Sequence, residues 1–348
     1  MIYKARLLVL IWLCACLCTT ATRANNPVTI DVTEMGAKGD GSSDDSKAFE
    51  TALARANPAT GGCGTVYVPP STNPYLISKP INLLSGETLL ATNGTVVIAP
   101  FLPTAVKSGP LLLSIKNASK VSIQGLIFDG ATEKIGISNT VIQVFQSSKV
   151  VFEQVEVRNS RGIGILFSGG DKGVTYSGLQ NCRFENIGKY YLTSENKKED
   201  RKQTVSFCCA PRAASGEFLN QHNFVSNCHF GHDGFDNLSL GQQSYFVASD
   251  NHFTGTHNGG NIYCADSRHI RITNNKAKAA AGNGIDCFAN QDLTITGNES
   301  SFNGGAGIMA GDTHCCIIAD NKTIGNYQSV QPSWQDDHPD ARKSNHRG

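Results

Sequence analysis

Net charge is nearly absent from this sequence: 30 Lys and Arg against 29 Asp and Glu in 348 residues leave +1 at neutral pH. That removes the long-range attraction on which a nucleic-acid or anionic-membrane binder relies. Charged residues of either sign are also scarce, at 17%, while glycine reaches 35 residues; this balance suits a turn-rich all-β chain rather than a helical one. No membrane-length apolar run is present, since "LLVLIWLCACLC" stops at 12 residues and a spanning helix needs about 20. No cysteine pair has zinc-ligand spacing, and no Asp-rich loop of the EF-hand type occurs.

What is present at the N-terminus reads as a processing segment. Lys4 and Arg6 precede the apolar run, and "TRA" ends it at Ala24, so residues 1–24 are expected to be a signal peptide and the protein secreted or periplasmic. "LCAC" (Leu13 to Cys16) is similar to a bacterial lipoprotein box, which keeps a lipid-anchored form open. Three of the 12 cysteines, Cys14, Cys16 and Cys18, leave with the leader. The odd number remaining leaves at least one unpaired or bonded between chains. Cys208–Cys209 and Cys315–Cys316 are adjacent doublets, poor chelators and awkward disulfides. The remaining cysteines read as small buried hydrophobes or scattered disulfides.

The strongest signal is a repeat. The turns "SNCHF", "SDNHF", "TNNKA", "TGNES" and "ADNKT" place Asn227, Asn251, Asn275, Asn298 and Asn321 at steps of 24, 24, 23 and 23 residues. A second marker keeps the same period: Leu238, Ile262, Ile285 and Ile308 open short apolar strands 24, 23 and 23 apart. Short alternating strands at this period predict a single-stranded right-handed parallel β-helix, an all-β solenoid of about 23 residues per coil whose stacking buries the core. It is expected over residues 63–325, with a polar tail at 326–348. The 46-residue step from Asn181 to Asn227 is read as one coil carrying a large insertion. The turn asparagines are expected to form a hydrogen-bonded amide ladder.

A solenoid end exposes strand edges and core, and needs a cap. Residues 25–62 supply one. In "SDDSKAFETALARA" Ala48, Phe49, Ala52, Leu53 and Ala56 form one apolar helical face, with Ser43 or Asp44 as N-cap. The stretch "MGAKGDGSSDDSKAFETAL" resembles the leading motif of the pectate-lyase superfamily of right-handed β-helix proteins, shared by polygalacturonases, rhamnogalacturonase and epimerase-like proteins and phage tailspikes. "GNGIDCFA" around Asp286 resembles the polygalacturonase "GDDCIA" segment. Its second carboxylate is Ile285 here, however, and Ala306 stands where that family has a histidine.

The resemblance implies a sugar-binding groove along one outer face and its flanking bends. Strand alternation turns Ile285 and Cys287 inward and Asp286 outward. The exposed column is then Ser206, Ser239, Tyr263, Asp286 and Met309. The bend before it holds Asp233 and His257, 24 residues apart and so stacked on neighbouring coils, with Asp236 beside them. A carboxylate next to an imidazole suits general acid/base chemistry. Expected catalytic residues are therefore His257, Tyr263, Asp286, Asp233 and Asp236. Expected substrate-binding residues are Ser239, Arg268, Asp266, Asn261 and Asn283. A second column, His229, His252, Lys276 and Glu299, reads as scattered surface charge.

These features point to a carbohydrate-active protein acting on an anionic, uronate-containing polysaccharide. A lyase or epimerase is the leading reading, with Arg268, Arg271 or a bound cation neutralising the substrate carboxylate. A glycoside hydrolase using paired Asp residues, or a non-catalytic polysaccharide-binding surface protein, is the alternative. No cofactor is required, although the exposed Asp set is compatible with Ca2+. The oligomeric state is not legible.

Overall fold

Parallel pairing organises the whole chain, because each coil contributes one short strand to each of three sheets. The computed structural model describes residues 29–62, 64–92, 96–101, 110–131, 140–188, 203–231 and 233–327. The expected leader at 1–24 lies outside them, as does the polar tail beyond Tyr327.

One regular coil shows how the sequence builds the fold. Arg268–Thr273 lies in the first sheet, Lys276–Lys278 in the second and Ile285–Phe288 in the third, and Gln291–Thr296 returns to the first, one layer on. The three sheets hold 12, 10 and 9 strands. The winding is right-handed, the hand that twisted parallel strands impose on their crossovers.

The expected register holds residue for residue. Leu238 pairs with Ile262, Ile262 with Ile285 and Ile285 with Ile308. Cys264 lies beside Cys287 in the interior, and both are fully buried. The core is a set of stacked columns, including Phe184–Phe230–Phe253 with ring centroids 4.9 and 4.7 Å apart. Full burial of each such ring is worth about 1.5–3 kcal/mol over exposure.

The amide ladder forms, with one correction. Asn251, Asn275 and Asn298 each donate a side-chain amide hydrogen bond to the next, ending at Asn321, at 2.9–3.0 Å. Asn227 is not in that column. It sits one residue earlier in a left-handed turn position (φ 50°) above Asn181. Cys228 takes the interior place, its N–H donating to Asn251 Oδ1 at 2.9 Å, with Cys182 N–H contacting Cys228 Sγ below. The spacing from Asn227 to Asn251 imitates the repeat while being out of phase by one.

The 46-residue coil carries its extra chain in two places. Residues 189–202 fall between the second and third sheets, outside the described residues. Residues 209–219 fall between the third and the first, after Val205–Cys208 has paired in register with Ile165–Ser168.

Helix Ser46–Ala56 covers the N-terminal end, burying Ala48, Phe49, Ala52, Leu53 and Ala56 as expected. Its N-cap is Asp45, not Ser43 or Asp44. The Asp45 carboxylate instead accepts the N–H groups of Lys38 and Gly39 at 2.7 and 3.3 Å, tying the glycine-rich knot to the helix start. Asp44 accepts the Ser46 N–H and the Ser78 hydroxyl, anchoring the cap to the first coil. Among the described cysteines every thiol is free, so the buried ones act as small hydrophobes.

Candidate functional site

Alternation along the third sheet sets the outer face. Ser206 pairs with Ser239, Ser239 with Tyr263, Tyr263 with Asp286 and Asp286 with Met309, so the expected column exists, one strand spacing per step, about 4.8 Å. Ser239, Tyr263 and Asp286 are half-buried. Asn283 fixes Asp286: its Nδ2 donates to Asp286 Oδ2 at 2.8 Å while its Oδ1 accepts the Ala306 N–H at 2.7 Å. Burial, and then the charges of Asp286 and Asp236, raise the Tyr263 phenol above its ordinary value. A phenol that keeps its proton beside an oriented carboxylate is a proton donor paired with a proton acceptor.

The bend behind this column is different in kind. Asp233 is fully buried, and Asp236 and His257 are 7% and 8% exposed. Asp233 and His257 do lie on neighbouring coils, joined through the backbone by His257 N–H donating to the Asp233 carbonyl at 2.9 Å. Asp233 Oδ1 accepts the Ile187 N–H at 2.9 Å and Asp236 Oδ1 the Gly260 N–H at 2.8 Å. These carboxylates supply acceptors where the sheet ladder is interrupted. A Cβ at Gly259 would come within 2.6 Å of Asp236 Oδ1, which is why this bend needs glycine. Burial pushes the Asp233 carboxyl up to about 8. Asn261, also fully buried, accepts from Asn237 Nδ2 at 2.9 Å and donates to the Lys278 carbonyl at 3.1 Å. Its side chain belongs to the scaffold rather than to an open groove.

At the other end of the outward strands the insertion folds back. Arg212 and Phe218 form an antiparallel bridge, with the guanidinium 4.0 Å above the Phe218 ring. Arg212 Nη2 donates to Asp266 Oδ1 at 2.7 Å, and Arg268 Nη1 donates to the Gly216 carbonyl at 3.1 Å with Glu217 Oε1 at 3.5 Å. A cleft of about 220 Å³ is lined by Arg212, Arg268, Asn290, Asp312 and His314. Asp266 and Arg268 thus flank this cleft, while Asp233, Asp236, His257 and Asn261 pack in the opposite bend. Arg271 projects from the first sheet, on another face. Among the described residues no three His, Cys, Asp or Glu side chains gather to hold a metal ion. Of the Asp residues near the column, Asp266 pairs with Arg212, Asp286 with Asn283, and Asp233 and Asp236 with backbone donors.

Two further surface features complete the picture. Tyr176, His222, Tyr245 and His269 stack nearly parallel at 4.8, 4.9 and 4.5 Å, one ring per coil at the turn into the first sheet. All four occupy left-handed backbone positions. His269 continues the column to Asp292 and also meets Glu217. Steps of 46, 23 and 24 residues carry this column in the sequence, once the long coil is counted as one. The His229–His252–Lys276–Glu299 column runs along the second sheet as expected.

A family model described as rhamnogalacturonase A/epimerase, pectate lyase-like, matches residues 29–308. The Preneck appendage protein of Bacillus phage PZA is 24% identical over 283 residues, 78% of this chain and 28% of that protein, so the chain spans under a third of that relative's length. PfbA, a surface adhesin of Streptococcus pneumoniae, matches with a TM-score of 0.58 at 14% identity over 86% of this chain and 91% of that one. The A-module of the mannuronan C-5 epimerase AlgE6 of Azotobacter vinelandii matches at 0.51 and 17% identity over 78% and 76% of the two chains. A hyperthermoactive exopolygalacturonase from Thermotoga maritima matches at 0.54 and 14% identity, over 82% and 75%. At these identities the structural likenesses show a shared β-helix fold.

Proposed function

This chain belongs to the rhamnogalacturonase A/epimerase, pectate lyase-like family, and on that premise we propose that it is a lyase or epimerase acting on a uronate-containing polysaccharide. The observation that carries the reading is the register pairing of Tyr263 with Asp286 on the outward face. Elimination and epimerisation both begin by removing the proton α to the uronate carboxylate. Asp286, oriented by Asn283, accepts that proton, and Tyr263 delivers one: to the leaving oxygen in elimination, or to the opposite face of the carbanion in epimerisation. The substrate carboxylate needs a positive partner as charge builds in the enolate. Arg212 and Arg268, lining the cleft at the end of these strands, supply it. Ser239, one coil before Tyr263, contacts the neighbouring sugar.

The hydrolase reading is weaker on the same geometry, because hydrolysis uses two carboxyl groups flanking the scissile bond. Asp236 is buried on a backbone N–H and Asp266 is paired with Arg212, which leaves Asp286 alone on the column. The binding-only reading draws on the exposed Tyr176–His222–Tyr245 edge. Its inner ring faces cover one another, so it offers edges and hydroxyls rather than a stacking platform.

The purified protein incubated with a panel of uronate polysaccharides tests the proposal, followed by ultraviolet absorbance of unsaturated uronate ends, a reducing-end assay and NMR of the uronate C5 configuration. Rising absorbance with new reducing ends supports a lyase, and inverted C5 centres support an epimerase. Reducing ends without absorbance, or binding with no chemistry, overturns the proposal.

A further inference from the structure

The doublet Cys208–Cys209 stands where the third sheet gives way to the inserted hairpin. Cys208 ends strand Val205–Cys208 facing outward beside Ser206, and Cys209 follows at φ 65°. Their Sγ atoms are 2.8 Å apart. Cys209 is exposed, so it does not serve as a core hydrophobe. Its left-handed conformation is one that a side chain other than Gly, Asn or Asp occupies only at a cost. Equivalent positions on neighbouring coils hold Gln146, Gln242 and Asp266, also at positive φ. The second doublet behaves differently. Cys316, exposed on the last coil, pairs in register with the inward-facing Leu293, while Cys315 follows the turn position of Asp292, so adjacency in sequence does not by itself bring two thiols together.

We propose that Cys208 and Cys209 are a vicinal dithiol that a low-molecular-weight disulfide oxidises to an intrachain disulfide, and that this bond locks the hairpin bearing Arg212. Cys209, the exposed thiol, attacks the small disulfide as a thiolate, forming a mixed disulfide and expelling one thiol. Cys208 then loses its proton to water and attacks Cys209 Sγ, expelling the second. Two protein thiols are oxidised and one small disulfide is reduced to two thiols. Burial, and then its neighbour Cys209, push the Cys208 thiol up to about 12, consistent with Cys209 acting first.

The structural consequence follows from what leaves Cys209. Ala210 N–H is held by Gln242 Oε1 at 3.0 Å, and the chain then turns through the Arg212–Phe218 bridge, whose side chains reach Asp266 and, through Glu217, Arg268 and His269. Closing the ring at Cys209 fixes the first backbone torsions of that hairpin.

The test uses the full-length protein, reduced or treated with oxidised glutathione, then denatured, alkylated and mapped by mass spectrometry. The expected result is a peptide containing Cys208 and Cys209 that is two hydrogens lighter and takes up no alkyl group, while Cys315 and Cys316 remain alkylated. Native trypsin cleavage after Arg212 is expected to be several-fold slower in the oxidised protein, and Cys209→Ser is expected to abolish that difference. Alkylation of both Cys208 and Cys209 after oxidation, or bonding of either to another cysteine, overturns the modification site. Equal cleavage of the two wild-type redox states overturns the lock without relying on the variant.

Discussion

The outward column Ser239–Tyr263–Asp286 and the bend Asp233–His257–Asn261 belong to the same coils, separated by a few residues of chain. One faces solvent; the other is sealed. Along a strand, alternation decides which side chain is free, and the hydrophobic neighbours Ile262, Cys264, Ile285 and Cys287 leave Tyr263 and Asp286 no inward place. In the bend the backbone leaves the sheet ladder, and buried N–H groups must find other acceptors. Asp233 and Asp236 turn inward to accept such N–H groups, and Asn261 turns inward to meet the Lys278 carbonyl and the Asn237 amide. Polar residues of similar type are thus available for chemistry in one region and used up by the fold in the other.

The largest effect that sharpens this contrast is on Asn261. Asn261→Ala strands the Lys278 carbonyl and leaves the Asn237 amide only its bond to the Gly255 carbonyl, and an orphaned buried group costs about 1–3 kcal/mol. Urea denaturation is expected to show a loss of stability of about 2 kcal/mol; a midpoint equal to wild type would return Asn261 to the groove.

The pH dependence of Asp233 comes next. Folded, its carboxyl holds its proton up to about 8, against an ordinary 3.8. The native state therefore binds the extra proton between those values. This contribution to stability is complete below the ordinary value and declines as pH rises through the folded one. Asp233→Asn is expected to flatten the fall in denaturation midpoint between weakly acidic and weakly alkaline buffer. An unchanged slope would mean that the carboxyl is ionised and solvated.

The smallest effect is on the second sheet. His252 is exposed on the His229 column, so His252→Ala is expected to alter stability by less than about 0.5 kcal/mol and to leave turnover on a uronate polymer unchanged. A large loss of turnover would move the site to that face.

The fold was legible because two markers kept one period. Ile262, Ile285 and Ile308 each repeat where stacking demands, and the phase of Asp286 and Tyr263 follows from them. The cap helix was legible from its apolar face, although its N-cap was not, because three adjacent residues, Ser43, Asp44 and Asp45, can all accept hydrogen bonds. The burial of the bend was not legible for a physical reason: Asp and His among glycines resemble a solvated loop, and only three-dimensional register shows Asp233 meeting Ile187 and Asp236 meeting Gly260. Arg212 and Glu217 were out of reach because they belong to the one coil that breaks the period. The Tyr176–His222–Tyr245–His269 stack was hidden by the same 46-residue step.

The central claim is that the column acts and the bend holds, and it is tested most directly by measuring turnover and thermal midpoint together for Asp286→Asn and His257→Ala on a polysaccharide the wild type converts. Asp286→Asn is expected to keep the wild-type midpoint and lose turnover by about a hundredfold or more. His257→Ala is expected to lower the midpoint while its folded fraction turns over at the wild-type rate. The reverse pattern, a stable but inactive His257→Ala beside a fully active Asp286→Asn, would contradict the account.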